Sequence, residues 1–158
     1  CVLHVTNHSR INLADEAATN AFASQLAHIL QPGLMLYLRG DLGAGKTTLV
    51  RALLQTLGHT GRVKSPTYTL LERYKAGGLN LLHFDLYRFR DAEEWESSGF
   101  RDEFDGRNVC LVEGPEQAAG LLPPADVILT FTILENGRVL ELEALTTAGH
   151  LCLNALPA

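Results

Sequence analysis

The stretch Gly40-Asp41-Leu42-Gly43-Ala44-Gly45-Lys46-Thr47-Thr48 constrains this chain more than any other. Gly40, Gly45, Lys46 and Thr47 fit the spacing G-x-x-x-x-G-K-[ST]. In that pattern, glycines let successive backbone N–H groups turn toward one anion, and a following helix adds the positive end of its dipole. The flanks agree. Met35, Leu36, Tyr37 and Leu38 form a short apolar run suited to a strand buried on both faces. Leu49, Val50, Leu53, Leu54 and Leu57 then recur at helical spacing, and Gly58 stands where a helix-ending glycine belongs. A strand buried on both faces needs helices above and below it. The spacing therefore predicts an α/β fold: three layers, like other phosphate-loop nucleotide-binding domains, around a mixed, partly parallel central sheet.

Beyond the loop, Phe22, Leu26, Ile29 and Leu30 mark one face of an earlier helix that ends before Pro32-Gly33. "SPTYTLLERY" and "LNLLHFDLYRF" flank Ala76-Gly77-Gly78 and read as a hairpin. "DAEEWESSG" reads as a short helix capped by Asp91, with Glu94 three residues on and Trp95 as a packing residue. "NVCLVE" is a short apolar strand ending in Glu113. "DVILTFTIL" and "RVLELEAL" surround Glu135-Asn136-Gly137, an Asn-Gly hairpin signal. The antiparallel hairpins belong at the periphery of the sheet, and residues 1–158 are expected to form one domain.

Charge and cysteine content narrow the function classes. A formal net charge of −5 argues against gripping nucleic acid through a broad basic face, so any role near RNA would run through a protein partner. Cys1, Cys110 and Cys152 are odd in number and far apart, which fits a reducing cytoplasm better than a disulfide framework. Cys110 lies in an apolar run and is expected in the core. The six histidines show no metal-ligand spacing, and most are expected to be ordinary surface or core residues. No stretch is long and apolar enough to span a membrane.

A phosphate loop that turns over nucleotide needs acids to place magnesium and water. Glu113 ends an apolar strand at its carboxyl end, where ligands meet an open α/β sheet. Asp85, in "HFDLYR", interrupts another apolar strand, where a charge is costly unless something compensates it. Spacing leaves open which acid would bind Mg²⁺ and which would orient water. Ser65, Thr67 and Thr69 in "SPTYT" are hydroxyls about one helix beyond the loop, where nucleotide switches sense a terminal phosphate.

"GDLGAGKTT", "KSPTYTL", "HFDLYR" and Leu111-Val112-Glu113 followed by Pro115-Glu116, in this order, resemble the TsaE (YjeE) family over nearly the whole chain. The resemblance implies an ATPase required for threonylcarbamoyl modification of adenosine 37 in tRNA, working in the cytoplasm with the TsaB and TsaD proteins and reaching tRNA only through them. It implies ATP and Mg²⁺ held by residues 40–48, with Lys46 on the phosphates and Thr47 on the metal. It assigns Asp85 and Glu113 as the acids important for activity, each a possible metal ligand, and Thr67 to the switch. It also implies adenine-side contacts from Glu16 and Arg138. Gly114 departs from the pattern, because the family usually carries tryptophan after this acid. A large aromatic surface is therefore missing there, and Gly114→Trp is expected to strengthen nucleotide or partner binding.

Two other classes share parts of this pattern. A small metabolite or nucleoside kinase could use Arg88, Arg90 and Arg101 to clamp a transferred phosphoryl group. A GTP-dependent switch is less well supported, since no Asn-Lys-x-Asp stretch is present to read guanine.

Overall fold

A computed structural model describes residues 8–41, 43–64, 66 and 68–157. Cys1, Leu42, Ser65 and Thr67 lie outside the described residues. The chain runs β1 (His8–Leu13), α1 (Glu16–Ala27), β2 (Met35–Gly40), α2 (Lys46–Thr56), β3 (Leu71–Ala76) and β4 (Leu79–Asp85). It continues with α3 (Ala92–Ser98), a 3-10 turn (Phe100–Glu103), β5 (Val109–Glu113) and a second 3-10 turn (Pro115–Ala118). The last elements are β6 (Val127–Leu134), β7 (Gly137–Ala144) and α4 (Thr147–Asn154).

The strands form one seven-stranded sheet in the order β1-β7-β6-β2-β5-β4-β3. β2 pairs in parallel with both β5 and β6, and β4 pairs in parallel with β5. Each expected hairpin places its inner strand in this parallel centre and its outer strand antiparallel beyond it: β3 outside β4, and β7 outside β6. The Asn-Gly signal is realised as a tight turn with Leu134 opposite Gly137.

Alternation along the central strands builds the two cores. Leu36 and Leu38 of β2, Leu81 of β4, and Val109 and Leu111 of β5 pack with Phe22, Leu26, Leu49 and Leu53 of α1 and α2. Their neighbours Met35, Leu82, Phe84, Cys110 and Val112 face the other way, onto Trp95 of α3 and the segments around it. Helices thus cover both faces, giving the three-layer arrangement that the apolar strands require. Trp95 is fully buried, stacked on Phe104 at 5.8 Å between ring centres and edge-on to Phe89 and Phe100 at 5.8 and 5.6 Å. It is a packing residue, as expected.

Caps define the helix starts. The Asp15 carboxylate accepts from Ala18 N at 2.9 Å to start α1, and Asp91 accepts from Glu94 N at 2.9 Å to start α3. Each such cap contributes about 1 kcal/mol. α1 stops at Ala27, so Ile29 and Leu30 pack from the turn that follows rather than from the helix. β3 begins only at Leu71, because Thr69 and Tyr68 belong to a turn closed by Leu70 N donating to Pro66 O at 2.8 Å. Two elements go beyond the sequence expectation. β1 adds an edge strand against β7, and α4, capped by Thr146, packs Cys152 and Leu153 onto the first core. Both are short, and neither repeats its pattern long enough to register. Cys110 and Cys152 are buried free thiols, pushed up to about 12 and about 11 by desolvation, hence inert. Among the described residues, no helix is long and apolar enough to cross a membrane.

Candidate nucleotide site

The glycine loop leaves the carboxyl end of β2 and enters α2 at Lys46, with Gly45 as the N-cap. Gly40 has no room for a side chain, since a Cβ there would lie 2.5 Å from the Phe131 carbonyl oxygen on β6. The loop is held from within by Ala44 N donating to Asp41 O at 3.0 Å. Lys46 is buried, and its ammonium donates to Gly40 O and, at 3.0 Å, to Asp41 O. It also lies 5.4 Å from the centre of the Tyr87 ring. The Tyr87 hydroxyl donates to Gly40 O at 3.2 Å. Burial and the carboxylates of Glu116, Glu113, Asp85 and Asp41 push this phenol up to about 12, so it remains a neutral donor. Thr47 is exposed at the start of α2, and Thr48 is half-buried behind it.

The two acids come together. In the parallel ladder Asp85 is paired with Glu113, and Glu113 with Leu38 of the loop-bearing strand. Both carboxylates therefore stand at the carboxyl ends of adjacent strands, on the face covered by α2. Asp85 is half-buried, and its carboxylate accepts from Tyr87 N at 3.2 Å. Desolvation raises its pKa above the ordinary carboxylate value. The Tyr87 amide opposes that, the Glu113 charge adds to it, and the His83 and Lys46 charges offset it in part. Glu113 is 4% exposed and meets His83 Nε2 at 2.5 Å through Oε2. His83 is itself 1% exposed.

Nothing in the sequence analysis singles His83 out among the six histidines. A signal of its placement is present there all the same: two residues before Asp85 on a strand, it must share that acid's face.

Glu16 and Arg138, far apart in sequence, border the same cavity at the other end of the loop. Together with Thr19, Gly45 and Thr48 they line a cavity of about 290 Å³. The Arg138 guanidinium donates to Gly43 O at 3.2 Å and to its neighbour Gly137 O at 2.9 Å. This side of the loop is thus a pocket closed by α1 and the β6–β7 turn. The arginines that a kinase would need do not converge: Arg88 stacks on the exposed Tyr68 ring at 4.6 Å, and Arg101 pairs with Glu96. Arg90 is exposed.

The backbone at Gly114 bears on one expectation. Its φ is +69°, and a Cβ would lie 3.0 Å from Tyr87 N and 3.2 Å from Tyr87 Cγ. An added Cβ thus meets Tyr87, in a backbone conformation that side-chain-bearing residues rarely adopt. Gly114→Trp is therefore strained here, and the aromatic surface beside the loop is Tyr87.

Among the described residues, no group of three or more His, Cys, Asp and Glu side chains could hold a metal unaided. The Thr47 hydroxyl and the two carboxylates are hard oxygen donors of the kind magnesium takes, and magnesium commonly completes its shell with water and substrate phosphates.

Comparison with known proteins agrees with this arrangement. A family model described as "Threonylcarbamoyl adenosine biosynthesis protein TsaE" matches residues 13–140. A Haemophilus influenzae protein named tRNA threonylcarbamoyladenosine biosynthesis protein TsaE is 45% identical over 148 residues, covering 90% of this chain and 94% of that protein. A Bacillus subtilis protein of the same name is 46% identical over 95 residues, 60% of this chain and 59% of its own length. The crystal structure of Bacillus subtilis YdiB superposes with a TM-score of 0.76 at 29% identity, covering 94% of this chain and 93% of that one.

Proposed function

The chain belongs to the TsaE family of threonylcarbamoyl adenosine biosynthesis proteins, and from that premise we propose that it is a Mg²⁺-dependent ATPase serving tRNA modification. The observation that carries the reading is the convergence of Lys46, Asp85 and Glu113 at the carboxyl ends of three neighbouring strands. Backbone N–H groups of residues 43–48 and the α2 N-terminus would cradle the phosphates. Lys46 would exchange its carbonyl partners, Gly40 O and Asp41 O, for phosphate oxygens. Thr47 and one of the two acids would hold magnesium, which when bound neutralises charge on the phosphates. The other acid would orient water. Glu16 and Arg138 flank the pocket that would take the adenine side.

Arg51 is exposed on α2, Arg88 is engaged with Tyr68, and Arg138 is tied to the loop carbonyl Gly43 O, so none is assigned to the terminal phosphate. A supplied arginine can contribute on the order of 10³–10⁵ in phosphoryl-transfer rate. The chain alone is therefore expected to turn over slowly, in the cytoplasm, and to depend on TsaB and TsaD for a complete site, with tRNA reached only through that complex. The test is steady-state phosphate release with and without the TsaB–TsaD pair, with Lys46→Ala as background. Slow release that rises strongly with the pair supports the reading. Fast release unchanged by the pair would mean that one domain carries the whole site, and a phosphorylated small-molecule acceptor would favour a kinase.

A further inference from the structure

We infer that His83 is a positioning residue for Glu113, fixing the carboxylate on which turnover depends; the inference rests on the ATPase reading above. Both groups are sealed in the fold, with Glu113 4% and His83 1% exposed. Their hydrogen bond, His83 Nε2 to Glu113 Oε2, is 2.5 Å long and joins β4 to β5 across the parallel ladder. An ionised carboxylate can only accept, so His83 donates from Nε2. A charge-assisted bond of this kind holds the carboxylate in one rotamer. With Oε2 committed to His83, the work assigned to Glu113 falls to its other oxygen.

A purely structural role for the imidazole fits the site poorly. His83 Nδ1 is buried without a hydrogen-bond partner among the described residues. A buried unpaired nitrogen destabilises a fold, whereas leucine or phenylalanine beside Leu81 and Leu111 would leave none. What offsets that cost is the hydrogen bond from Nε2 to Glu113. The same face of β4 carries Asp85 two residues on, so one strand delivers an acid to the site and the group that orients the other acid.

The test measures turnover with the TsaB–TsaD pair and ATP affinity separately. His83→Leu is expected to lower turnover about 10–100-fold, the usual effect of removing a group that orients a ligand or catalytic side chain, with ATP affinity changed by less than about threefold. His83→Gln, whose amide nitrogen can stand near the Nε2 position, is expected to recover most of the loss. His83→Asn keeps a donor but falls short of Glu113, so it should behave like the leucine variant and serves in its place if leucine prevents folding. In a Glu113→Gln background the His83 substitution should cost nothing further, because it acts through that carboxylate. Lower thermal stability with undiminished turnover, equal losses in both backgrounds, or no recovery by glutamine would each overturn the assignment. A parent chain without Lys46-dependent phosphate release would instead overturn the ATPase reading, and His83 with it.

Discussion

Gly114→Ala separates the geometry of this chain from the habit of its family. The left-handed backbone at φ +69° costs a side-chain-bearing residue about 1–2 kcal/mol. The added Cβ would meet Tyr87 N at 3.0 Å and Leu86 C at 3.3 Å, both backbone atoms. They cannot yield freely, because Leu86 N donates to Glu113 O at 2.9 Å and Tyr87 N to Asp85 at 3.2 Å. Overpacking of this kind adds about 1–3 kcal/mol. Taking the lower part of that range for a single methyl gives a loss of about 2–4 kcal/mol. For a chain of this size that lowers the thermal midpoint by about 4–16 °C. The assay is thermal denaturation followed by circular dichroism, with the urea midpoint as a second measure. Tyr87 would also be pushed from Gly40 O and Lys46, so nucleotide affinity should fall in parallel, and Gly114→Trp should be worse on both counts. A midpoint within about 1 °C of the parent, or tighter nucleotide binding by the tryptophan variant, would refute the steric reasoning.

Lys46→Ala should weaken ATP binding by about 100-fold or more, since each charge-assisted hydrogen bond lost is worth about 1.5–3 kcal/mol; calorimetry with unchanged affinity would contradict the loop assignment. Competition binding should favour adenine over guanine nucleotides, and equal or tighter GTP binding would revive the switch reading. Glu113→Gln and Asp85→Asn should each suppress turnover far more than nucleotide binding, and parental rates for both in the partner complex would remove the two-acid scheme. Asp85→Asn has a second, opposite signature. Burial raises the Asp85 pKa, so the folded chain holds its proton to higher pH than the unfolded chain, and the stability tied to this group falls as pH rises through that interval. The variant should therefore melt higher than the parent near neutral pH, with the advantage shrinking below the ordinary carboxylate range; a constant difference across pH would argue against a buried charge.

The glycine loop, its flanking strand and helix, the two hairpins and the strand-end places of Asp85 and Glu113 were legible in the sequence because each is a local pattern. Glycines at fixed spacing, a four-residue apolar run and an Asn-Gly pair follow from backbone sterics and from burial on one or both faces. The resemblance carried by four linked motifs extended that reading to a family. Tertiary structure decided what depends on register between distant strands. Asp85 stands opposite Glu113, and His83 closes on Glu113, only because β4 lies parallel beside β5. Glu16 and Arg138 line one cavity only because α1 and the β6–β7 turn close on the same end of the loop. At Gly114 the family resemblance implied a missing aromatic, whereas the fold showed Tyr87 against a left-handed backbone. Side-chain spacing along one strand fixes which face a residue takes, but not which strand lies beside it; that is set by the packing of all seven strands and their helices.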